Sequence, residues 1–288
     1  MKQMIQSQNL SEAPTVCCII LTFNRLPTLK TCLNCIQTQA RRPDVIHIVD
    51  NGSKEETARF LDDARRNDSS IFVSSLPENL GPAGGYAYGM NWATEKQFSY
   101  IWVMDDDVFP EAECLKNLLQ EISNENDRIL FPRVVDKDER PANYPAWVGV
   151  LIPSSVVRLA GIPRQELFWW TEDTEYLQWR LPRVYGIRSL ISDNAKVTHG
   201  VDDGKEKPSW KYYYEVRNTI YYRFYVQKGN LIRRVRKTLL AIAKPVMKAT
   251  LFESDTRKKL TMISLGIRDG ISQRLGKRID PEESKMNL

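Results

Sequence analysis

The chain has 288 residues, of which 42% are hydrophobic and 27% are charged. These values are ordinary for globular proteins, so they exclude collagen-like, wholly disordered and disulfide-scaffold chains. At roughly 150 residues per domain, the length fits one large α/β domain with an appendage, or two small domains. The net charge of +5 is unevenly distributed: from Val226 onward there are fifteen Lys and Arg against six Asp and Glu, whereas the preceding part is net acidic.

The first part of the chain alternates continuous apolar runs with segments in which apolar residues recur at helical spacing. In order, it predicts a strand at 15–22, a helix from Leu26 to Ile36, a strand at 44–50, a helix at 54–67, a strand at 70–75, a helix at 81–96 and a strand at 100–104. Such alternation favours an α/β fold with a largely parallel sheet covered on both faces. Ligands of these sheets bind beyond the carboxyl ends of the strands, so we expect a functional site there.

The pattern after Pro110 is less regular. It predicts a helix near 111–122, strands near 128–135 and 147–152, a helix near 172–181, strands near 185–192 and 195–199, and a helix at 210–228 between Pro208 and Gly229. The expected organisation is an N-terminal tail at 1–14, a main domain at 15–225 and a basic, amphipathic helical tail at 226–288.

The basic tail is interleaved with apolar residues between Leu231 and Phe252. Arg233, Arg236 and neighbouring cations lie among leucine, isoleucine and valine, as in an interfacial amphipathic helix, and Pro245 is expected to bend or end this helix. The pattern fits a solvated helix that packs on the main domain, and it equally fits attachment to an anionic membrane surface. Nucleic-acid binding is disfavoured because the rest of the chain is net acidic.

The five cysteines and the chain start favour reduced thiols and a cytoplasmic location, because the cysteine number is odd and no basic-then-apolar leader pattern is present. Cys32 and Cys35 have the spacing of a redox or zinc pair. No second pair of cysteines or histidines stands nearby, and both lie at helical apolar spacing, so we interpret them as packing residues. No run of 18 apolar residues predicts a membrane span.

Three consecutive carboxylates, Asp105, Asp106 and Asp107, follow a predicted buried strand. Like charges repel one another, and a divalent cation is the usual compensation. Because side chains alternate along an extended segment, Asp105 and Asp107 can share one target while Asp106 points elsewhere. A turn or helix-cap cluster before Pro110 is the alternative.

The chain contains two histidines, and they have different predicted roles. His199 ends a predicted strand, where a neutral imidazole could join Asp105 and Asp107 in a metal site. His47 lies inside an apolar strand and is predicted to be a core residue. The glycine-rich segment 79–85 suits close approach of a phosphate or sugar, although a plain turn explains it as well.

Two tryptophans, Trp169 and Trp170, stand just before the acidic pair Glu172 and Asp173. Thr171 could cap a helix with an acidic first turn, which explains the acidic residues without any chemistry. Aromatic rings beside a fixed carboxylate also suit a sugar site with a general base. The residues by themselves leave both interpretations open.

Together these segments resemble family 2 glycosyltransferases with the GT-A fold, over roughly residues 15–225. The segments that carry the resemblance are 20–25, 49–53, 79–85, 102–107, 172–175 and 197–199. Within the family, the triple aspartate, the tryptophan pair and Arg217-Asn218 resemble most the bacterial galactofuranosyltransferases and rhamnosyltransferases. The resemblance implies a Rossmann-like, mostly parallel central sheet flanked by helices, here followed by a C-terminal helical extension.

The resemblance also implies a role for each of these positions, with residues 15–110 binding the nucleotide sugar and residues 111–225 the acceptor. Donor contacts would come from Thr22, Asn24, Arg25, Asp50, Asn79, Gly84, Gly85, Asp105 and Asp106. The ligands of Mn²⁺ or Mg²⁺ would be Asp105, Asp107 and His199, and the general base would be Asp173. Acceptor contacts would come from Trp147, Gly149, Trp169, Trp170 and Glu172.

The reaction implied is sugar transfer, with inversion, from UDP-galactofuranose or dTDP-rhamnose to a glycan hydroxyl. The acceptor is expected to be linked to a polyprenyl diphosphate and to belong to O-antigen, capsule or cell-wall synthesis. Such an enzyme would use the basic tail at the inner face of the cytoplasmic membrane. One alternative is a sugar nucleotidyltransferase, although segment 22–27 lacks the glycine-rich loop usual there. The other is a non-catalytic nucleotide-binding or glycan-binding scaffold.

Overall fold

An eight-stranded mixed sheet forms the centre of the chain, of which the computed structural model describes residues 13–122, 127–142, 146–200 and 206–281. The strands are β1 (Val16–Thr22), β2 (Val45–Asp50), β3 (Ile71–Ser75), β4 (Tyr100–Asp105), β5 (Val108–Pro110), β6 (Arg128–Val135), β7 (Val148–Pro153) and β8 (Arg188–His199). They lie in the order β3-β2-β1-β4-β7-β6-β8-β5. The first four in this order are parallel, whereas β7 is antiparallel to β4 and β5 is antiparallel to β8.

Helices cover both faces of this sheet. The α-helices of the described residues are α1 (Leu26–Gln37), α2 (Glu55–Asn67), α3 (Gly81–Glu95), α4 (Cys114–Ile122), α5 (Ser154–Ala160), α6 (Ser209–Tyr221), α7 (Leu231–Leu251) and α8 (Thr256–Ile271), and a π-helical segment lies at Thr174–Val184. Apolar residues of α1, α2 and α4 pack on one face, and those of α3, α5 and the π-helical segment pack on the other. The predicted α/β architecture with covered faces is therefore confirmed.

The central strand β1 shows why this arrangement follows from the sequence. All seven of its residues are buried. Cys18 and Ile20 belong to one core cluster, and Cys17 and Ile19 belong to the other, because successive side chains of a strand point to opposite faces. A strand that is buried on both faces needs a continuous apolar run. Cys32 packs in the same core cluster as Cys18 and Ile20, and its thiol is free. Its position on the apolar side of α1 predicted this packing role.

The largest differences from the predicted elements fall in the second half of the chain. The strands predicted at 185–192 and 195–199 form one strand, β8, because the irregularity between them is a register shift against β6 rather than a break. The helix predicted at 172–181 is a π-helical segment that includes Pro182. The short strand β5 was not predicted, since three residues give too little pattern.

The C-terminal helices form a separate layer, in which α7 and α8 pack against α6. Helix α7 continues past Pro245 to Leu251, so the expectation that this proline could end the helix is wrong. Of the N-terminal tail predicted at 1–14, residues 1–12 lie outside the described residues. Among the helices of the described ranges, none has the length and apolarity required to cross a membrane.

Candidate active site

The sheet brings the predicted polar clusters to one edge, because neighbouring strands end in register. Thr22 at the end of β1 pairs with Asp50 at the end of β2, and Leu21 pairs with Asp105 at the end of β4. His199 at the end of β8 pairs with Val108, the residue directly after the three aspartates. The carboxyl ends of four strands thus meet around the Asp105-Asp106-Asp107 triplet. We call this part of the sheet, with the three aspartates at its centre, the carboxylate edge.

Asp106 lies in the turn directly after β4 and shares the Arg25 guanidinium with Asp107, so the alternation of side chains along an extended strand does not set its direction. It is buried, and its carboxylate accepts a hydrogen bond from Thr22 Oγ1 at 2.7 Å and pairs with Arg25 at 3.2 Å. Burial raises the pKa of Asp106 to about 7, although Arg25 and Thr22 lower it in part. Asp106 therefore anchors the loop after β1 to the carboxylate edge.

Asp107 contacts two cationic groups. Its Oδ2 accepts a hydrogen bond from Arg25 Nη2 at 2.6 Å, and its Oδ1 lies 3.4 Å from His199 Nε2. Burial alone would raise the pKa of Asp107, but His199 and Arg25 outweigh burial and lower that pKa. Correspondingly, the pKa of His199 is raised, since Asp107 outweighs the opposing effect of burial. Among the described residues, the buried Oδ1 atom has no hydrogen-bond partner of good geometry.

Asp105 is linked to helix α3 by Tyr86, whose hydroxyl donates a hydrogen bond to Oδ1. Burial, reinforced by the charge of Asp107, raises the pKa of Asp105 to about 6. Tyr86 was missed by the sequence analysis, although it directly follows the glycine-rich segment. Of the three predicted metal ligands, Asp107 and His199 are in contact, and no group of three possible ligands forms a complete metal site in the described ranges.

The predicted donor residues Asn24 and Asp50 hold the loops after β1 and β2 together. Asn24 receives a hydrogen bond on its side chain from the Lys54 amide at 2.8 Å, and its own amide donates to Ser53 at 2.9 Å. Asp50 is buried and accepts a hydrogen bond from the Ser53 amide at 3.0 Å. Both side chains therefore have an intramolecular role at the position where the nucleotide was predicted.

Asn79 shapes the turn before α3. Its Oδ1 accepts hydrogen bonds from the Gly81 amide at 2.8 Å and from Asn51 Nδ2 at 3.1 Å. Gly84 and Gly85 lie inside α3, where an added Cβ would stand 2.6 Å from Leu80 Cβ and 2.3 Å from a methyl group of Leu21, respectively. Close packing of the helix on the sheet accounts for these two glycines without a ligand.

Trp147 and Gly149, which were predicted to contact the acceptor, lie in and beside β7. Trp147 is buried between Tyr86 and Tyr176, and its Nε1 has no hydrogen-bond partner in the described part of the chain. Gly149 has a φ of +84° at a register shift between β4 and β7, a bulge that favours glycine. The segment turns back toward the carboxylate edge, where the Trp147 carbonyl accepts a hydrogen bond from the Asp105 amide.

The two predicted acceptor tryptophans differ in exposure. Trp169 is partly buried edge-on against Trp210, whereas 43% of Trp170 is exposed. The Lys207 ammonium lies 4.7 Å from the centre of the Trp170 ring, which is a cation–π contact. Trp170 therefore offers an exposed aromatic surface beside a cation.

Glu172 and Asp173 follow this surface. Glu172 is buried, and the pKa of its carboxyl is raised by burial, by Asp173 and by Asp105. Asp173 Oδ1 accepts a hydrogen bond from the Thr174 amide at 2.5 Å, so this residue also caps the π-helical segment. Burial raises the pKa of Asp173. Glu172 is therefore close enough to Asp105 to interact with it electrostatically, and Asp173 follows it directly in the chain.

A buried pair on α6, Arg217 and Asn218, supports this segment. Asn218 Nδ2 donates to the carbonyl oxygens of Leu167, Trp169 and Trp170 at 2.7–2.9 Å, and Arg217 Nη2 donates to Leu167 at 2.8 Å. The supported segment is strained, because the non-glycine residues Phe168, Trp170 and Thr171 have positive φ angles. The sequence analysis gave Arg217-Asn218 no role, since no local pattern reveals a contact across about fifty residues.

Comparison with known proteins identifies relatives over parts of the chain. Galactofuranosyltransferase GlfT1 of Mycolicibacterium smegmatis is 29% identical over 45% of this chain and 42% of its own length. Undecaprenyl-phosphate mannosyltransferase of Micrococcus luteus is 27% identical over 49% of this chain and 59% of its own length. dTDP-rhamnosyl transferase RfbF of Shigella flexneri is 25% identical over 69% of this chain and 77% of its own length. The matched region thus spans less than two thirds of the first two relatives.

Solved structures share the fold at low sequence identity. Staphylococcus aureus TarS 1-349 in complex with UDP-GlcNAc aligns over 90% of this chain and 82% of its own, with a TM-score of 0.60 and 14% identity. Mannosyltransferase PcManGT of Pyrobaculum calidifontis, in complex with GDP-Man and Mn²⁺, aligns over 96% of this chain and 79% of its own, with a TM-score of 0.58 and 13% identity. The central sheet and its helices are therefore those of GT-A glycosyltransferases.

The family model described as glycosyl transferase family 2 matches residues 17–194, a region that contains the three aspartates and the acidic pair but not His199. The match covers more than half of the chain. The chain belongs to glycosyl transferase family 2.

Proposed function

We propose that this chain is a metal-dependent, inverting glycosyltransferase that moves a sugar from a nucleotide-sugar donor to a hydroxyl of a glycan acceptor. The observation that carries this proposal is the meeting of two acidic groups at one sheet edge. Asp107 lies 3.4 Å from His199, and the buried Glu172, which directly precedes Asp173, is close enough to Asp105 for their charges to interact. An acidic cluster of this kind has room for two tasks, which are holding a cation and accepting a proton.

The donor side of the proposal rests on the loops after β1 and β2. The nucleotide would bind beside Thr22, Asn24, Arg25 and Asp50: the sheet register pairs Thr22 with Asp50, and Asn24 and Arg25 follow in the loop after β1. Asn79 and the glycines of α3 would border the diphosphate. Family membership makes a sugar nucleotidyltransferase the weaker alternative.

The donors of the carboxylate edge have the chemistry that a divalent cation requires. Two carboxylates and one imidazole suit Mn²⁺ or Mg²⁺, and the buried Asp107 Oδ1 is a free acceptor among the described residues. Asp105, Asp107 and His199 would hold the ion. When bound, a divalent cation neutralises negative charge that builds on the departing nucleoside diphosphate. Arg25, paired with Asp106 and Asp107, adds positive charge at the same edge.

Asp173 would accept the proton of the attacking acceptor hydroxyl. Its Oδ1 is fixed by Thr174, while its Oδ2 makes no hydrogen bond to the described residues. A raised pKa makes the carboxylate a better proton acceptor. With the base and the leaving group on opposite faces of the sugar, a single displacement inverts the anomeric centre. Trp170 would provide a flat surface for the acceptor ring.

The donor site is tested by calorimetric titration of UDP and of dTDP into the full chain, with and without Mn²⁺. We expect Mn²⁺-dependent binding of one nucleotide, loss of that binding in Asp107→Ala, and unchanged binding in the surface control Asp62→Ala. Failure of the folded protein to bind either nucleotide would contradict the proposal. A non-catalytic scaffold would instead bind the nucleotide but show no sugar transfer that depends on Asp173.

The favoured donors are UDP-galactofuranose and dTDP-rhamnose, because relatives named for galactofuranosyl and dTDP-rhamnosyl transfer match this chain. A polyprenyl-linked acceptor is supported by the name of the undecaprenyl-phosphate mannosyltransferase relative. Transfer to such an acceptor would serve cell-surface polysaccharide synthesis: O-antigen, capsule or cell wall. Radiolabelled transfer from each donor to a lipid-linked acceptor distinguishes the two sugars.

We also propose that the enzyme is cytoplasmic and attaches to the inner, anionic face of the cytoplasmic membrane through α7. This helix packs on the protein through Thr238, Ile242, Pro245, Val246 and Ala249, yet several of its other apolar residues are exposed. Ile232 is 79% exposed, and Leu240 is 62% exposed. Within Leu231–Leu251 there is no acidic residue. An exposed apolar face flanked by cations matches an anionic bilayer.

Sedimentation with phosphatidylglycerol vesicles tests this attachment. The double variant Ile232→Glu/Leu240→Glu should lose at least about tenfold of the vesicle affinity, because two apolar anchors become anions. Leu159→Glu on α5 is the matched control, since Leu159 is 55% exposed but lies outside the tail. Equal vesicle binding by the double variant and the control would refute the attachment through α7.

A further inference from the structure

A cleft of about 1310 Å³ lies apart from the carboxylate edge and shares no residue with the predicted site. It runs between the π-helical segment and the chain that follows α6. We call it the basic cleft and define it by Arg164, Glu175, Trp179, Arg183, Tyr225 and Lys228. A cavity of this size with charged and aromatic walls is typical of a ligand site, and neither the carboxylate edge nor the tryptophan surface explains it.

The acidic groups in this cleft are already neutralised. Glu175 is buried, and its carboxylate is held by Arg180 at 2.5 Å and faces Arg164 at 3.4 Å. Arg164 also pairs with Glu166 at 3.0 Å. Two acidic residues are thus balanced by two arginines inside the cleft, so any further cation there contributes uncompensated positive charge.

Arg183 and Lys228 are those further cations. Both line the cleft and are exposed, and neither has a hydrogen bond or ion pair to the residues that the structure describes. A guanidinium and an ammonium that line the same cleft form a site suited to a multiply charged anion such as a phosphate or diphosphate. A carboxylate ligand would bind more weakly at this site, because it offers fewer oxygen atoms that can accept hydrogen bonds.

The remaining walls are aromatic and apolar, which a free anion does not need. Trp179 packs edge-on against Tyr222, while Tyr185 and Tyr225 are 38% and 46% exposed. Val184, which also lines the cleft, is 54% exposed. Exposed apolar surface next to uncompensated cations favours an amphiphilic ligand over an inorganic one.

The cleft is also continuous with α7. Lys228 lies three residues before the helix, and Asn230 caps the helix through the Arg233 amide at 3.0 Å. Arg234 fastens α7 to the cleft wall by donating to the carbonyl oxygen of Gln227 at 2.8 Å. The cleft therefore opens where the exposed apolar face of α7 begins.

The wall of the cleft that is formed by the π-helical segment continues in the chain to Asp173, the proposed base. The π-helical segment that carries Glu175, Trp179 and Arg183 starts at Thr174, directly after Asp173. We infer that the basic cleft binds the phosphate or diphosphate group of a lipid-linked acceptor, with the lipid chain along the apolar face of α7. This inference rests on the proposed function and identifies the part of the acceptor that this chain recognises.

Titration of farnesyl diphosphate into the full chain tests the inference without any turnover. The variant Arg183→Glu/Lys228→Glu should bind it at least about tenfold more weakly, since two charge-assisted contacts become repulsive. The matched control Arg158→Glu/Lys96→Glu, which places the same charges outside the cleft, should bind within about twofold of the wild type. Trp179→Ala should weaken binding of farnesyl diphosphate but not of inorganic pyrophosphate.

Three results would overturn the inference. The first is equal farnesyl diphosphate affinity in the cleft variant and the control. The second is pyrophosphate binding as tight as that of farnesyl diphosphate, which would assign the cleft to free phosphate. The third is full competition by sn-glycerol 3-phosphate, a soluble analogue of a lipid headgroup, which would assign the cleft to bulk lipid headgroups. UDP titration with Mn²⁺ in parallel separates these results from failure of the proposed function, because the cleft variant should keep its nucleotide affinity.

Discussion

Replacing Asn218 by alanine tests whether a buried amide on α6 holds the acceptor-side segment in place. The substitution removes Nδ2 from the carbonyl oxygens of Trp169 and Trp170, each 2.7 Å away. Arg217 still donates to Leu167 at 2.8 Å, so that third carbonyl keeps a partner. Two partly buried acceptors are left without this donor.

Each unsatisfied buried acceptor costs about 1–3 kcal/mol, so two would lower the free energy of unfolding by about 2–6 kcal/mol, and we expect the lower half of that range for Asn218→Ala because both contacts are only partly buried. The strained backbone at Trp170 and Thr171 could then relax, because the hydrogen bonds that Asn218 donates to the Trp169 and Trp170 carbonyl oxygens are lost. A shift of about 1 Å in a positioned group can cost about 100-fold in rate. We therefore expect kcat to fall by about 10–100-fold while the KM for the nucleotide sugar stays constant.

Thermal melting and steady-state transfer kinetics measure these two effects. Asn117→Ala is the control, because Asn117 makes an exposed hydrogen bond to the Asn194 carbonyl at 2.7 Å and should cost less than about 0.5 kcal/mol. Asn218→Asp should be no better than Asn218→Ala, since a carboxylate would face carbonyl oxygens. An Asn218→Ala variant with the melting temperature and kcat of the wild type would refute the reasoning.

Three further predictions concern the base, a buried histidine and the turn before α3. Asp173→Asn should lower kcat by about 10²–10⁴-fold and leave the UDP affinity measured by calorimetry unchanged. Transfer by this variant at the wild-type rate would exclude Asp173 as the base. Burial lowers the pKa of His47 to about 3, whereas the unfolded imidazole titrates near 6.5. The unfolded state therefore takes up the proton first, stability falls as pH drops from 6.5 towards 3, and His47→Leu should flatten this decline in melting curves. Gly81→Ala should strongly lower the free energy of unfolding, because the added Cβ would lie 2.0 Å from the Phe168 carbonyl oxygen. The control Gly161→Ala, also at positive φ but with no atom within 4 Å, should lower it less. Equal losses of stability in the two variants would contradict this explanation.

The sequence determined the strands and helices of the first half well, because their signals are local. An apolar run such as β1 has only one stable placement, in the middle of a sheet covered on both faces. The order of strand ends was enough to place Thr22, Asp50 and Asp105 at one edge, since parallel strands share the direction of their carboxyl ends. The alternation expected along Asp105-Asp106-Asp107 does not describe the structure, because Asp106 and Asp107 lie in a turn and both pair with Arg25.

Contacts between residues far apart in the sequence could not be predicted from such local patterns. Nothing local indicates that Tyr86 donates to Asp105, or that Asn218 holds the carbonyl oxygens of Trp169 and Trp170. Side-chain exposure is equally non-local: amphipathic spacing in α7 predicted an apolar face but did not reveal that Ile232 and Leu240 remain exposed after packing.

The sequence alone thus determined the fold class, the carboxylate edge and the basic character of the tail, each of which follows from periodicity, composition or charge. Only the tertiary structure decided which polar atoms are shared between elements and which surfaces stay open. The physical reason is that backbone periodicity is set by neighbours in the chain, whereas burial, pKa shifts and cleft shape depend on elements brought together by packing. The basic cleft illustrates this, because its walls come from segments near Arg164, Arg183 and Lys228 that no sequence motif connects.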